Sequence, residues 1–431
     1  MRTVRIASLL VLSTLLLILS GGTQAAAQVK PGDFITPENS FKVTDLVSPG
    51  VMAKVRAGMT MRITSTQRIE WPPPYKEATE KYSGQVGLAA DRKTIIGYVA
   101  GQPFPLLDPN DPDVAVKIIW NTQFRPIASD DYDLRFFDCY QQYVRPGQPQ
   151  FQVSYYQVGH YAGYSLVGRV EVEPIPTDPI YKEMGAYYLF ALYPVLAPAF
   201  ARGAGVIKYR YADPRRGDDS WSYSPASRRV RRLNEAALSI ATTPASAWNP
   251  DHYGGFQPKI QGYDYKFLGE KQMLASVNAK TVPAVTCATD GGASTCPEDW
   301  ELRPTYIVEA NPRWDVVNPV QGKRILYNDS EIWFNPYIDV YDRRGELFQN
   351  FTYWLTYRDR VVPDARIAIY PFKRSFVIAA GGFDVQGGSS SHCYLPGKEV
   401  PERECWYINM GAVGKEFFLP TAMQRAAHTG A

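Results

Sequence analysis

The residues able to do chemistry in this chain are few and scattered. Its four histidines are His160, His252, His392 and His428, with no spacing that makes a ligand set or a base motif. The sequence contains no phosphate loop, dinucleotide fingerprint or His-Glu-x-x-His helix. Gly163-Tyr-Ser-Leu-Val-Gly168 comes nearest to a nucleophile elbow, but its second glycine is one place late and it lies in a strand pattern. Asp108-Pro-Asn-Asp-Pro-Asp113 has the composition of a calcium loop without its central glycine and closing glutamate, and reads as a turn. Asp130, Asp131 and Asp133, and the pair Asp218 and Asp219, read as solvated loop residues, because an acid and base must face each other across a substrate. The sharpest charge feature is Arg228-Arg-Val-Arg-Arg232. On a strand these side chains alternate between faces, and guanidinium forks suit the phosphate or carboxylate of a lipid head or an acidic partner. The competing reading is a solvated edge strand guarded by charge. Together these residues predict no enzyme, no metal site and no cofactor.

Five cysteines fit an oxidising compartment. Cys287 and Cys296 bracket one loop, and Cys393 and Cys405 another, so each pair is expected to form a local disulfide, leaving Cys139 as a buried, inert thiol. The amino terminus agrees with export. Arg2 and Arg5 precede an uncharged stretch from Ile6 to Ser20, and small residues end in Ala25-Ala-Ala27. That is the layout of a secretory signal over 1–27, with cleavage before Gln28 and a periplasmic destination.

The elements that must position these residues are mostly strands. The chain has 431 residues, 45% apolar and 21% charged, which is ample material for a packed core. With 46 Lys and Arg against 43 Asp and Glu, its net charge of +3 argues against nucleic acid as partner. Period-2 alternation marks Met61 to Glu70 and Phe151 to Tyr155, then, beyond a turn at Gly159–Gly163, Tyr164, Leu166, Gly168, Val170 and Val172 on one face. A meander follows: Arg324–Tyr327, a turn at 328–330, Glu331–Phe334, Ile338–Tyr341, a turn at Asp342–Gly345, and Leu347 to Tyr357. Short helices are expected over Ser48–Gly58, Arg232–Ala241 and parts of Tyr263–Val277. Ala186 to Ala201 is uncharged over 16 residues and broken by Pro194 and Pro198. It reads as buried strand, or as an apolar flap over a cavity or against lipid. The pattern predicts a mainly β (α+β) protein: after the signal, 28–431 as one large domain built on a curved antiparallel sheet or incomplete barrel with a few short helices. Cys-bracketed insertions are expected near 281–304 and 393–405.

Several segments, in order, resemble one bacterial family. They are Glu77-Ala-Thr-Glu-Lys-Tyr-Ser-Gly84, Val99-Ala-Gly-Gln-Pro-Phe-Pro105, Asp111-Pro112 with Lys117-Ile-Ile-Trp-Asn121, and Trp221-Ser-Tyr-Ser-Pro225 running into Arg228–Arg232. Arg303-Pro304, Val308-Glu309, Lys323-Arg-Ile-Leu-Tyr327, Asp339-Val-Tyr-Asp-Arg343 and Gly345-Glu-Leu347 complete the set. Over roughly 30–425 the chain resembles domain of unknown function 1329, whose members are labelled outer membrane lipoprotein-sorting proteins and are similar in fold to the LolA/LolB carriers. The resemblance implies a curved half-barrel closed by helices over an apolar cavity, a lipid or lipoprotein acyl chain as cargo, and an envelope transporter of the RND type as partner. No lipobox cysteine follows the leader, so an acylated anchor is not implied. Candidate ligand contacts are Tyr187, Leu189, Leu192, Leu196 and Phe200 of the uncharged run, with Trp221, Arg229 and Arg231. The alternative is an envelope assembly factor working through an edge strand or the 186–201 surface, without cargo.

Overall fold

The computed structural model describes residues 29–144, 151–233, 254–282, 284–296, 298–313, 321–361, 369–395 and 406–429. The expected signal, residues 1–27, and Cys405 lie outside them. In chain order the strands are β1 (Phe34–Ile35), β2 (Met61–Ile63), β3 (Gly87–Leu88), β4 (Ile95–Ile96), β5 (Asp131–Val144), β6 (Phe151–Ser165), β7 (Ala186–Ala197), β8 (Gly205–Tyr211) and β9 (Asp219–Ser224). They continue as β10 (Arg229–Leu233), β11 (Tyr263–Ala275), β12 (Glu298–Pro312), β13 (Arg324–Asp329), β14 (Phe334–Tyr341), β15 (Leu347–Arg358), β16 (Arg374–Asp384), β17 (Ser389–Tyr394) and β18 (Trp406–Ile408). The helices are α1 (Pro49–Arg56), α2 (Pro73–Tyr82), α3 (Val114–Gln123), α4 (Tyr181–Met184) and α5 (Pro420–Thr429).

Sixteen of these strands form one curved, mainly antiparallel sheet. It is built from two meanders, β11 to β17 and β5 to β10, whose consecutive strands are neighbours. They join at a single seam, β17 against β5, where Cys393 faces Cys139. Among the described residues β10 and β11 each have one partner, so the sheet is open at those edges. β2 runs parallel to the start of β12, and β18 adds to β5 beyond the end of β17.

Helices cover part of the sheet. Ser48 caps α1, its hydroxyl accepting from the Val51 amide at 3.2 Å, and Pro49 stands where no amide donor is needed. The Asp339 carboxylate of β14 completes that cap, accepting from the Ser48 hydroxyl at 2.9 Å and the Gly50 amide at 3.1 Å. A side chain at Gly50 would strike Asp339 and Asn350, so glycine is what lets α1 lie this close to the sheet. α3 follows the Asp108–Asp113 turn and buries Val114, Ile118, Ile119 and Trp120 in the main core. A second apolar cluster sits behind β6 to β9, where Leu189, Ala191 and Tyr193 of β7 meet Phe418 and Met423 of the carboxy-terminal segment.

β7 therefore packs on both faces, which is why its sequence is an unbroken apolar run. A meander does span Arg324 to Tyr357, but its first turn is 330–333 and not 328–330: β13 runs on through Asp329, and Glu331–Trp333, expected as strand, form the turn before β14, while Ser48–Gly58 contains α1. Several expectations are corrected. Tyr263–Val277 is strand β11, because Tyr263, Tyr265 and Phe267 alternate along a full pairing with β12 and outweigh the helix propensity of Leu268 to Ala275. The expected helix at Arg232–Ala241 opens as the end of β10, and 234–241 lie outside the described residues. β6 continues through Gly159 and Gly163 without turning, and 166–172 form a loop folded around Asp130. Only Met61–Ile63 of the first stretch is strand, and residues 298–304, expected within an insertion, begin β12.

The cysteine pairing also differs. Cys287 and Cys296 are joined, but Cys393 is bonded to Cys139, 254 positions away, and not to Cys405. Sequence proximity favoured the local pair; sheet pairing places the distant cysteine directly opposite instead.

The acidic groups are buried rather than solvated. The Asp130 carboxylate accepts from the amides of Val170, Glu171 and Val172 at 2.7–3.0 Å, holding the loop after β6. Asp131 is 1% exposed and burial pushes its carboxyl up to about 6. Asp133 pairs with Arg135, and Asp218 with Arg210 at 2.8 Å and Lys208 at 3.2 Å. Asp219 takes the Tyr211 hydroxyl at 2.6 Å and the Arg232 guanidinium. Each carboxylate is a structural tie with at least one backbone, hydroxyl or cation partner that offsets burial, although one oxygen each of Asp131, Asp133 and Asp218 has no hydrogen-bond partner among the described residues.

Candidate functional site

The curved sheet encloses a cavity of about 510 Å³, a size typical of small-molecule sites of about 300–1,000 Å³. Its wall crosses the seam between the two meanders. From β5 to β7 it takes Tyr132, Leu134, Phe137, Tyr161, Tyr188, Leu192 and Val195, and from the other side Phe334, Tyr353, Val377 and Ala380. Trp406 and Ile408 of β18 extend the wall, and the Cys139–Cys393 disulfide is part of it. The end of α3 and the loop after it, residues 123–129, and the segment around Gly254 and Gln257 also line it.

The wall is apolar with a phenolic edge. Tyr132 and Tyr188 share a hydroxyl–hydroxyl bond of 2.7 Å, Tyr132 stacks on Tyr161 at 5.3 Å, and Tyr161 meets Phe190 edge-on at 5.1 Å. Burial raises the phenols of Tyr132, Tyr161 and Tyr188, and pushes Tyr187 up to about 12, so all stay neutral at ordinary pH. Among the 37 described lining residues no carboxylate, histidine or free thiol occurs, and Arg125 is the one charged side chain. Among the described residues no group of three or more His, Cys, Asp and Glu could hold a metal ion.

The nominated contacts divide. Tyr187 and Leu192 line the cavity. Leu189 faces the cluster behind the sheet, and Trp221 packs edge-on against Tyr209 there, at 4.8 Å. Leu196 is half-buried near the end of β7, and Phe200 is 76% exposed beyond it. Arg229 and Arg231 lie exposed on the open edge strand β10, away from the cavity wall. The charge alternation of 228–232 is thus that of an edge, with Arg232 tied to Asp219. Sequence reasoning missed Tyr132, Tyr161, Tyr188 and Arg125. The tyrosines show period-2 spacing within their strands, but no sequence signal reports that β5 meets β17 or that Arg125 ends up against Phe334.

Over residues 34–387 the sequence matches the family described as "Protein of unknown function (DUF1329)". The chain belongs to that family. An uncharacterized protein of Pseudomonas aeruginosa is 22% identical to this DUF1329 protein over 344 residues, 75% of this chain and 69% of its own. Among solved structures, a Vibrio parahaemolyticus domain described as of outer membrane lipoprotein-sorting type is 14% identical, with a TM-score of 0.47, covering 72% of this chain and 97% of its own. A DUF1329 protein from Desulfovibrio piger is 16% identical, with a TM-score of 0.43, over 72% and 96%. A LolA superfamily protein from Nitrosomonas europaea is 11% identical, with a TM-score of 0.36, over 71% and 97%.

The two disulfides are those of a protein from an oxidising compartment. No helix among the described residues is long and apolar enough to cross a membrane.

Proposed function

We propose that this DUF1329 protein is a non-enzymatic periplasmic carrier that holds one lipid, lipoprotein acyl chain or similar apolar molecule inside its sheet and passes it to an envelope transporter of the RND type. The observation that carries the reading is the cavity: about 510 Å³ walled by Leu, Val, Ile, Phe, Trp and Tyr side chains. Filling it with a hydrocarbon removes apolar surface from water on both partners, at about 25 cal/mol per Å². Tyr187 and Leu192 are among its contacts. The disulfides support the compartment.

Native mass spectrometry of the mature protein purified from its own periplasm tests the proposal. A stoichiometric apolar adduct, released on denaturation, is the expected result. A clean apo mass with no uptake from envelope lipids overturns it and shifts weight to an assembly factor acting through the exposed β10 edge.

A further inference from the structure

The cavity wall holds one charge, and its setting says what the occupant must bring. Arg125 follows α3, its guanidinium lying over the Phe334 ring at 5.2 Å from the centroid. One amino group donates to the Thr122 carbonyl at 2.9 Å, while the buried Nε has no hydrogen-bond partner among the described residues. No carboxylate of the described residues forms an ion pair with Arg125, whereas the buried Arg210, Arg303 and Arg374 are each paired with at least one, and the buried Arg169 is held instead by four backbone carbonyls. A guanidinium offers its donors in a planar fork and accepts none, so its natural complement in this wall is an oxyanion.

Its neighbours are donors too. Gly254, with φ of +63°, carries the segment past Arg125 so closely that a side chain there would come within 3.1 Å of Nη2 and 2.8 Å of the Gln257 amide nitrogen. The hydroxyl pair of Tyr132 and Tyr188 lines the same cavity. Donors from three segments thus line one largely apolar chamber.

Resting on the carrier reading, we infer that the cavity takes an amphiphile with an anionic end, a carboxylate or a phosphate, which Arg125 binds with the Gln257 amide beside it while the hydrocarbon fills the apolar wall. The planar fork of arginine matches either oxyanion with two parallel hydrogen bonds, and a dry setting strengthens them. A neutral chain of equal length would fill the wall but bring no counter-charge to the guanidinium.

The test compares hexadecanoate, a hexadecanoyl lysophospholipid with an anionic head, and hexadecanol on the full mature protein, by calorimetry below their critical micelle concentrations. At least one anionic probe should bind about ten- to a hundredfold more tightly than hexadecanol, as expected of a charge-assisted hydrogen bond. The tighter of the two names the source, fatty acid or phospholipid. In Arg125→Gln that preference should vanish, the anionic probes then binding no more tightly than hexadecanol, while Arg125→Lys should keep part of it. Equal affinity of the wild type for charged and neutral chains overturns the inference and leaves the carrier reading intact, and this arm needs no variant. So does a preference that survives in Arg125→Gln. Failure of all three probes to bind overturns the carrier reading itself.

Discussion

Cys139 on β5 and Cys393 on β17 stand directly opposite each other and are bonded, although 254 positions separate them. The bond crosses the one seam at which the two meanders meet, and it is part of the cavity wall. A covalent tie at that place reinforces the strand pairing that joins the two halves of the sheet.

Peptide mapping without reduction should therefore recover Cys139 linked to Cys393 and Cys287 linked to Cys296. Alkylation of the denatured, unreduced protein should add one label, at Cys405. Cys139→Ser with Cys393→Ser should lower stability by about 2–4 kcal/mol in urea, the usual effect of closing a long loop. Recovery of a Cys393–Cys405 peptide would contradict the seam pairing.

Arg303 is fully buried and binds three carboxylates: Asp329 at 2.6 Å, Glu331 at 2.6 Å and Glu301 at 3.0 Å. Arg303→Met should cost about 3–5 kcal/mol, because it strands buried negative charge rather than merely removing contacts. Urea midpoints of the two proteins measure it, and a loss below about 1 kcal/mol would show the carboxylates find other partners.

Lys54 on α1 is buried, donating to the Gly381 carbonyl at 3.1 Å beside the Trp354 ring, and burial pulls its ammonium down to about 7. The unfolded chain keeps the proton up to its ordinary value of 10.5, so between about 7 and 10.5 the unfolded state binds more protons than the native one. The contribution of Lys54 to stability therefore rises with pH across that window. Wild type should gain stability between pH 7 and 9.5 relative to Lys54→Met, read from urea unfolding at both values. Parallel profiles would show that the ammonium stays charged inside.

Leu192 points into the cavity and is only half-buried, so Leu192→Trp should fill space that cargo would occupy. Uptake of apolar probes should drop at least tenfold while circular dichroism stays that of the wild type, with a stability change of about 1–3 kcal/mol at most. Arg229→Ala with Arg231→Ala, on the exposed edge, should leave uptake of those probes unchanged and stability within about 0.5 kcal/mol. The opposite pattern would place the ligand at the edge strand.

What the sequence determined is what short-range pattern can encode. Alternating Tyr, Phe and Val marked strands between Arg324 and Tyr357, Ser48 marked the start of the segment that holds α1, and the uncharged run 186–201 marked an apolar segment whose bounds as strand and whose two packed faces the structure supplied. What only the tertiary structure decided are the pairings that cost the chain long loop closures and leave no local trace. The seam of β5 with β17 chose Cys139 over Cys405 as partner for Cys393. Pairing with β12 made a strand of the helix-prone Leu268 to Ala275, and folding buried Asp130, Asp131 and Asp218, which read as loop charges, because amide and cation partners arrived from elsewhere in the chain. The cavity belongs to the same class. Arg125, Tyr132, Leu192 and Phe334 stand far apart along the chain, and only the curvature of one sheet brings them to a common space.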